Sequence, residues 1–304
     1  MRVLIAIDGS QGGFEAVKQA AALLSPTQDQ IVLYYSPPRM KNGAGTLEEN
    51  FRDRAAGALA NACFDEAKAL LPSALSSITE TYVGEDPPAR DIPIAAKAWN
   101  ANLIVVGARG LGPIKRLLLG SVSRAVVHSA EVPVLIVRPR RLPESPLKVL
   151  LACENAQGVA RAGQVLQQFT WPAHSQGRLM SVIDPMFAGE IPKWLEERAR
   201  SADAEAMSRA WVLEHEAELK TKTTEMSDCL TLLPAPFQGQ PPLIVEGHPG
   251  DRILESAIQE AAELIVVGTR HLGGISRLLL GSTSQAVLAH ASCSVLVIPQ
   301  PEAT

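Results

Sequence analysis

The sequence predicts an α/β protein built as two tandem doubly wound domains, each with a five-stranded parallel sheet of the Rossmann-like type. Three observations carry this. Aliphatic strand-like runs alternate with helical patterns along the whole chain. The runs are nearly uninterrupted, as in sheets buried on both faces. Two segments are near copies: residues 107–123 (GARGLGPIKRLLLGSVS) and residues 268–284 (GTRHLGGISRLLLGSTS), each after an aliphatic run.

In the first half, residues 3–7 form a β-branched run that stops at Asp8-Gly9-Ser10, and a helical pattern follows over 14–24. Residues 31–35 read as a second strand closed by Ser36-Pro37-Pro38. The stretch 47–71, rich in Ala, Glu, Arg and Leu, reads as a long helix. A third strand over 78–83 ends at Gly84-Glu85-Asp86-Pro87-Pro88 and leads to a helix over 90–100, where Pro93 is tolerable only in the first turn. Strand 103–106, the glycine loop, helix 121–129 and strand 134–137 complete the unit.

The second half repeats the plan with strands at 149–153, 179–183, 243–246, 264–267 and 295–298. Gly107 maps to Gly268, 161 residues on, whereas Val3 maps to Val149, 146 residues on. About 15 extra residues therefore sit in its middle, near 186–240, where 193–225 is strongly helical. Domain 1 spans 1–138 and domain 2 spans 146–300, joined by a proline-rich, charged linker over 139–145. The length of 304 residues agrees, because one core rarely grows past about 250–300 residues.

Composition narrows the functions. The formal net charge of −4 and the 4% aromatic content argue against a nucleic-acid binder, which needs basic excess and stacking surfaces. The N-terminus opens on a strand rather than a secretory leader, and no apolar run approaches the ~20 residues of a membrane span. Cys63, Cys153, Cys229 and Cys293 are scattered without a CxxC pair, which fits reduced thiols in a cytoplasmic protein.

The loop glycines carry the chemistry. Gly120-Ser121 stands where the next helix begins, and a helix N-terminus offers unpaired N–H donors suited to phosphate. Ser121 and Ser123 add hydroxyls; the simpler reading makes Ser121 an N-cap. Neither GxxxxGK[ST] nor a GxGxxG after the first strand occurs, so phosphates would be held without a P-loop lysine. Lys115, Arg116 and Arg277 reach either a phosphate or water.

The G-x2-G-x9-G-[ST] spacing, a first strand ending in Asp, and the phrase ANLIVVGARG over 101–110 resemble the universal stress protein family, twice over. Gly84-Glu85-Asp86-Pro87 and Gly247-His248-Pro249 fit as well. The resemblance implies, in one branch of the family, bound ATP with Mg or Mn between phosphate oxygens. By it, Asp8 contacts the adenosine end, and Ile7 and Tyr35 line the adenine pocket. Val106 and Gly107 lie against the nucleoside, and Gly110, Gly120, Ser121 and Ser123 hold the phosphates. No side chain is expected to ligate the metal. Read without the resemblance, Asp8 is equally a turn carboxylate and Tyr35 a packing residue.

The second half departs from this pattern. Asp8 maps to Glu154 and Gly110 to His271, while Gly268, Gly281, Ser282 and Ser284 are kept, so a weaker or altered second site is expected. Three functions stay open. The leading one is a nucleotide-binding regulatory protein of a stress response, holding ATP mainly in domain 1, forming a homodimer and meeting a protein partner. The second is a weak ATPase or adenylating-type enzyme, although Asp8-Gly9-Ser10-Gln11-Gly12-Gly13 lacks the Ser-Gly-Gly-x-Asp-Ser order and no catalytic cluster is visible. The third is a scaffold that binds no nucleotide.

Overall fold

The structure, a computed structural model, describes residues 1–37, 49–110, 119–139, 146–183, 202–269 and 280–299. Strands β1 (Arg2–Ile7), β2 (Gln30–Tyr35), β3 (Thr79–Val83), β4 (Leu103–Gly107) and β5 (Val134–Val137) run parallel in the order β3-β2-β1-β4-β5. The second half repeats this with β6 (Lys148–Ala152), β7 (Gln176–Ile183), β8 (Leu243–Glu246), β9 (Leu264–Gly268) and β10 (Ser294–Ile298). In each half the chain order reverses next to the first strand, between β1 and β4 and between β6 and β9. Such a switch point leaves a crevice at the carboxyl ends of the strands.

The two sheets are not separate. β5 and β10 pair antiparallel, with Leu135 opposite Leu296 and Ile136 opposite Val295, giving one ten-stranded sheet. Both strands are aliphatic at every position from Val134 to Val137 and from Val295 to Ile298, so their free edges would otherwise invite other chains. A polar clasp reinforces the seam. The Arg138 guanidinium donates to the carbonyls of Leu288 (2.7 Å) and Cys293 (3.1 Å), and the Arg138 backbone N–H donates to Ser294 Oγ (3.0 Å). Gln19 Nε2 donates to the Arg138 carbonyl at 2.6 Å, tying in the first helix. Arg138, the last residue of domain 1, is thus a buried junction; positions 140–145 lie outside the described residues.

Each face of the sheet carries one core that runs through both halves. On one face lie α1 (Gln11–Ala21), α2 (Glu49–Ala69), α3 (Ser73–Ser76), α6 (Ala156–Leu166) and α7 (Ala202–Asp228). On the other lie α4 (Pro88–Ala98), α5 (Ser121–Ser129), α8 (Pro249–Gln259) and α9 (Ser282–His290). α1 shows the logic. Gly13, Ala16, Val17 and Ala20 recur at helical spacing and are the residues it buries. The extra residues of the second half fall between β7 and β8, in α7 and the 3₁₀ turns Cys229–Leu232 and Ala235–Phe237. The first part of the expected helical insert, 193–201, lies outside the described residues.

Pro93 corrects one expectation. α4 begins earlier than the pattern suggested, with Pro87 as N-cap, so Pro93 stands past the first turn. The helix forfeits one internal bond there and is held by its buried face of Asp91, Ile92, Ala95 and Ala96. Asp91 accepts from Tyr34 Oη at 2.7 Å, and Gly84 leaves the room for that pair, since a Cβ there would overlap both oxygens. No helix among the described residues is long and apolar enough to cross a membrane.

Candidate functional site

Four helices start at the carboxyl ends of the switch-point strands, and their caps differ by position. α1 is capped by Ser10, whose Oγ accepts from the Gly13 N–H at 3.2 Å. α6 is capped by Asn155, whose Oδ1 accepts from Gly158 at 2.9 Å. α5 and α9 begin at Gly120 and Gly281, and neither has a side-chain cap. Within each of these helices the first bond runs from residue N4 back to the glycine carbonyl, Arg124 to Gly120 (3.1 Å) and Gln285 to Gly281 (3.0 Å). The amides of residues 121–123 and 282–284 therefore have no intrahelical acceptor and point out of the helix start.

Ser123 and Ser284 fasten these helices to the strand ends. Ser123 Oγ donates to the Gly107 carbonyl and Ser284 Oγ to the Gly268 carbonyl, each at 2.7 Å. Both hydroxyls are buried, and each spends its single hydrogen on the strand end. What they contribute is position: they dock the helix start against the last residue of β4 or β9.

In the first half the crevice is filled by its own backbone. Asp8 Oδ1 accepts from the Ser10 N–H (3.0 Å) and Ser10 Oγ (2.5 Å), fixing a turn in which Gly9 takes φ +77°. A Cβ on Gly110 would overlap the other carboxylate oxygen of Asp8. One on Gly107 would lie 2.6 Å from the Gly12 carbonyl oxygen, and one on Gly12 would overlap the Arg109 carbonyl. Three glycines thus let the α1 start, the end of β4 and the loop after it close around Asp8. Ile7, Tyr35 and Val106 are buried core residues here, and the Tyr35 ring packs edge-on against Phe64 at 6.2 Å. Cys63 on α2 also adjoins this turn. Burial raises its thiol pKa, Tyr35 lowers it by hydrogen bonding, and Glu66 and Asp8 raise it further.

In the second half the described residues line a cavity of about 600 Å³ at the same switch point. Its walls include Cys153 and Glu154 after β6, Gly268 at the end of β9 and Thr269 after it, and Gly281 to Ser284 at the α9 start. Leu151, Met180, Val182 and Ile253 supply apolar wall. Among the described residues a Cβ on Gly268 would meet the Ile298 carbonyl at 3.9 Å, and one on Gly158 would make ordinary contacts. Glu154 is exposed, and its carbonyl accepts from Lys222 of α7. Burial, with Cys229 nearby, pushes the Cys153 thiol up to about 12. Arg161 of α6 also lines the cavity, and its Nε donates to the Pro299 carbonyl at 2.7 Å.

The structure thus gathers Ile7, Asp8, Tyr35, Gly107, Gly110, Gly120, Ser121 and Ser123 at one switch point, and Glu154, Gly268, Gly281, Ser282 and Ser284 at the other. His271, Lys115, Arg116 and Arg277 lie outside the described residues. Cys63 and Arg161 were missed. Each is a single residue in a helical pattern, and only a position-by-position comparison of the copies could have singled out Arg161.

Comparison with known proteins agrees with this frame. The profile of the Universal stress protein family matches residues 1–138 and 185–299. A universal stress protein of Mycolicibacterium smegmatis is 26% identical over 317 aligned positions, covering 97% of this chain and 96% of that one. One from Thermus aquaticus is 31% identical over 161 positions, spanning 49% of this chain and 96% of its own length. Among solved structures, a universal stress protein from Archaeoglobus fulgidus superposes with a TM-score of 0.63 over 99% of this chain and 98% of that one. At 19% identity that likeness speaks to the fold alone. With the duplicated glycine loop, the doubly wound order of both halves and a family profile that covers most of its length, the chain belongs to the universal stress protein family.

Proposed function

We propose that this chain is a nucleotide-binding regulatory protein of a stress response, holding ATP at a switch-point crevice without strong catalysis. One observation carries the reading: an uncapped helix start, α9, opens onto a cavity of about 600 Å³ at the β6–β9 switch point. That volume lies within the ~300–1,000 Å³ of small-molecule sites. Free amides at a helix start favour a phosphate, and the apolar wall offers a surface for a base. The residues fit a phosphate chain, and a divalent ion such as Mg or Mn would enter with the phosphates and neutralise part of their charge. Placement in the cytoplasm accompanies this reading.

A second reading gives the first half the tighter site. Its support is the fuller motif, Asp8, Gly110 and Gly120, against Glu154 and His271. In that case the Arg109-Gly110 backbone must move off Gly12 to admit a nucleotide. Titration calorimetry of the full chain with MgATP separates the two. Gly281→Val abolishes the main heat if the second-half cleft is the principal site, and Gly120→Val does so if the first is. Undiminished ATP binding in both folded variants, or none by the unaltered chain, overturns the proposal.

A further inference from the structure

We propose that Arg161 is the anion-holding side chain of the second-half cleft, the residue that makes it prefer phosphorylated nucleotides to nucleosides; this rests on the nucleotide reading above. The two copies differ sharply here. α1 and α6 bury the same helical positions, with Gly13, Ala16, Val17 and Ala20 answering to Val159, Ala162, Gly163 and Leu166. In that register Arg161 stands where the first half has Glu15. Glu15 pairs with Lys18 on the helix surface at 3.1 Å. A reversal of charge at a matched position beside the crevice changes what that crevice attracts.

The placement of the guanidinium follows from its anchor on Pro299. Nε donates to the Pro299 carbonyl, just past β10. The preceding carbonyl, that of Ile298, accepts the Thr269 N–H at 3.0 Å. The guanidinium is thereby held beside the end of β10, whose Ile298 carbonyl takes the amide of Thr269 just after Gly268, and Gly268 is the residue to which Ser284 docks the α9 start. Arg161 and the free amides of α9 thus line one cavity from two helices on opposite faces of the sheet.

Its charge is poorly compensated. Among the described residues Arg161 makes no ion pair, and the carbonyl of Pro299 is its hydrogen-bond acceptor. Among the described residues neither terminal nitrogen has a hydrogen-bond partner. Partial burial lowers its pKa, and the cavity places it to meet an incoming anion. A phosphate offers what is missing, since a guanidinium binds its oxygens through paired N–H donors. The free helix-start amides across the cavity suit the same group.

The test titrates the full chain and its Arg161→Gln and Arg161→Lys variants with MgATP, adenosine and inorganic tripolyphosphate, with folding checked by circular dichroism. Expected is a loss of at least about tenfold in affinity for ATP and tripolyphosphate in Arg161→Gln, with adenosine within about twofold and Arg161→Lys in between. Unchanged ATP and tripolyphosphate affinities overturn the assignment. So does an equal loss for adenosine, which marks Arg161 as a structural residue. If the unaltered chain binds tripolyphosphate through Arg161 but neither nucleotide nor nucleoside, the anion assignment stands and the nucleotide reading falls. If it binds none of the three, both fall.

Discussion

Truncating Leu296 to alanine tests whether the two halves are one cooperative body. Leu296 is fully buried on β10 and faces Leu135 across the antiparallel seam. The change removes three carbons, about 2.4 kcal/mol at ~0.8 kcal/mol per methylene. A cavity term is added because Leu135 and the neighbouring strands cannot fully collapse, giving about 3–4 kcal/mol within the usual range for such truncations. If the ten-stranded sheet unfolds as a unit, this penalty is spread over the whole chain. At roughly 2 °C per kcal/mol for a large cooperative unit, the single transition drops by about 6–8 °C. Halves that unfold separately would behave otherwise: two transitions, the second-half one lowered by about 12 °C or more and the first-half one unmoved. Differential scanning calorimetry distinguishes these outcomes, and two resolved transitions with one unmoved would refute the coupling.

Two more predictions follow from burial and from the sheet edges. Cys153 has its pKa raised from the ordinary 9.0 to about 12, so the folded state keeps that proton longer than the unfolded chain does. The resulting stability is complete below pH 9 and is lost as pH rises towards 12. Cys153→Ala should therefore flatten the fall of the urea midpoint between pH 9 and about 11; parallel curves for the two proteins would contradict the assignment. The edges of β5 and β10 are spent on each other, which leaves β3 and β8 as the ends of the sheet. A homodimer is expected through surfaces other than the last strands, and a light-scattering mass of 32.4 kDa at working concentration would rule it out.

The frame was legible because the elements are marked twice, once in each copy. Strand β5 and helix α5 begin and end where Val134–Val137 and Ser121–Ser129 suggested, because Gly120-Ser121 marks the helix start and the aliphatic run the strand. The last strands of the two halves, aliphatic in both copies, pair with each other. Other boundaries shifted by local chemistry. Aligned by sequence, Ser10 corresponds to Ala156, which cannot cap. Asn155 can, so α6 starts one residue earlier in the same core register. Ser123 and Ser284 also bond a strand-end carbonyl that no local pattern reveals. Arg161 was hidden because one charge in an amphipathic helix looks like any solvated face.

The glycines at the starts of α5 and α9 are the remaining puzzle, and backbone strain does not explain them. Gly120 has φ −71°, ψ 159° and Gly281 has φ −61°, ψ 158°, extended conformations open to any residue. The same chain places Ser10 and Asn155 at the other two switch-point helices, where their side chains bind a first-turn amide. A capping side chain at 120 or 281 would satisfy its own helix and occupy the amides that a phosphate needs. Glycine leaves them exposed and lets a ligand come close. Gly281→Asp should therefore act in opposite directions on stability and binding. The new carboxylate would cap α9 and meet its positive end, stabilising the fold by about 0.5–1 kcal/mol. It would also fill and repel at the phosphate position, cutting ATP affinity by at least about tenfold. The paired readouts are the urea midpoint and calorimetric titration on the same sample. A gain in stability with ATP affinity retained would show that the free amides of α9 are not where the phosphates sit.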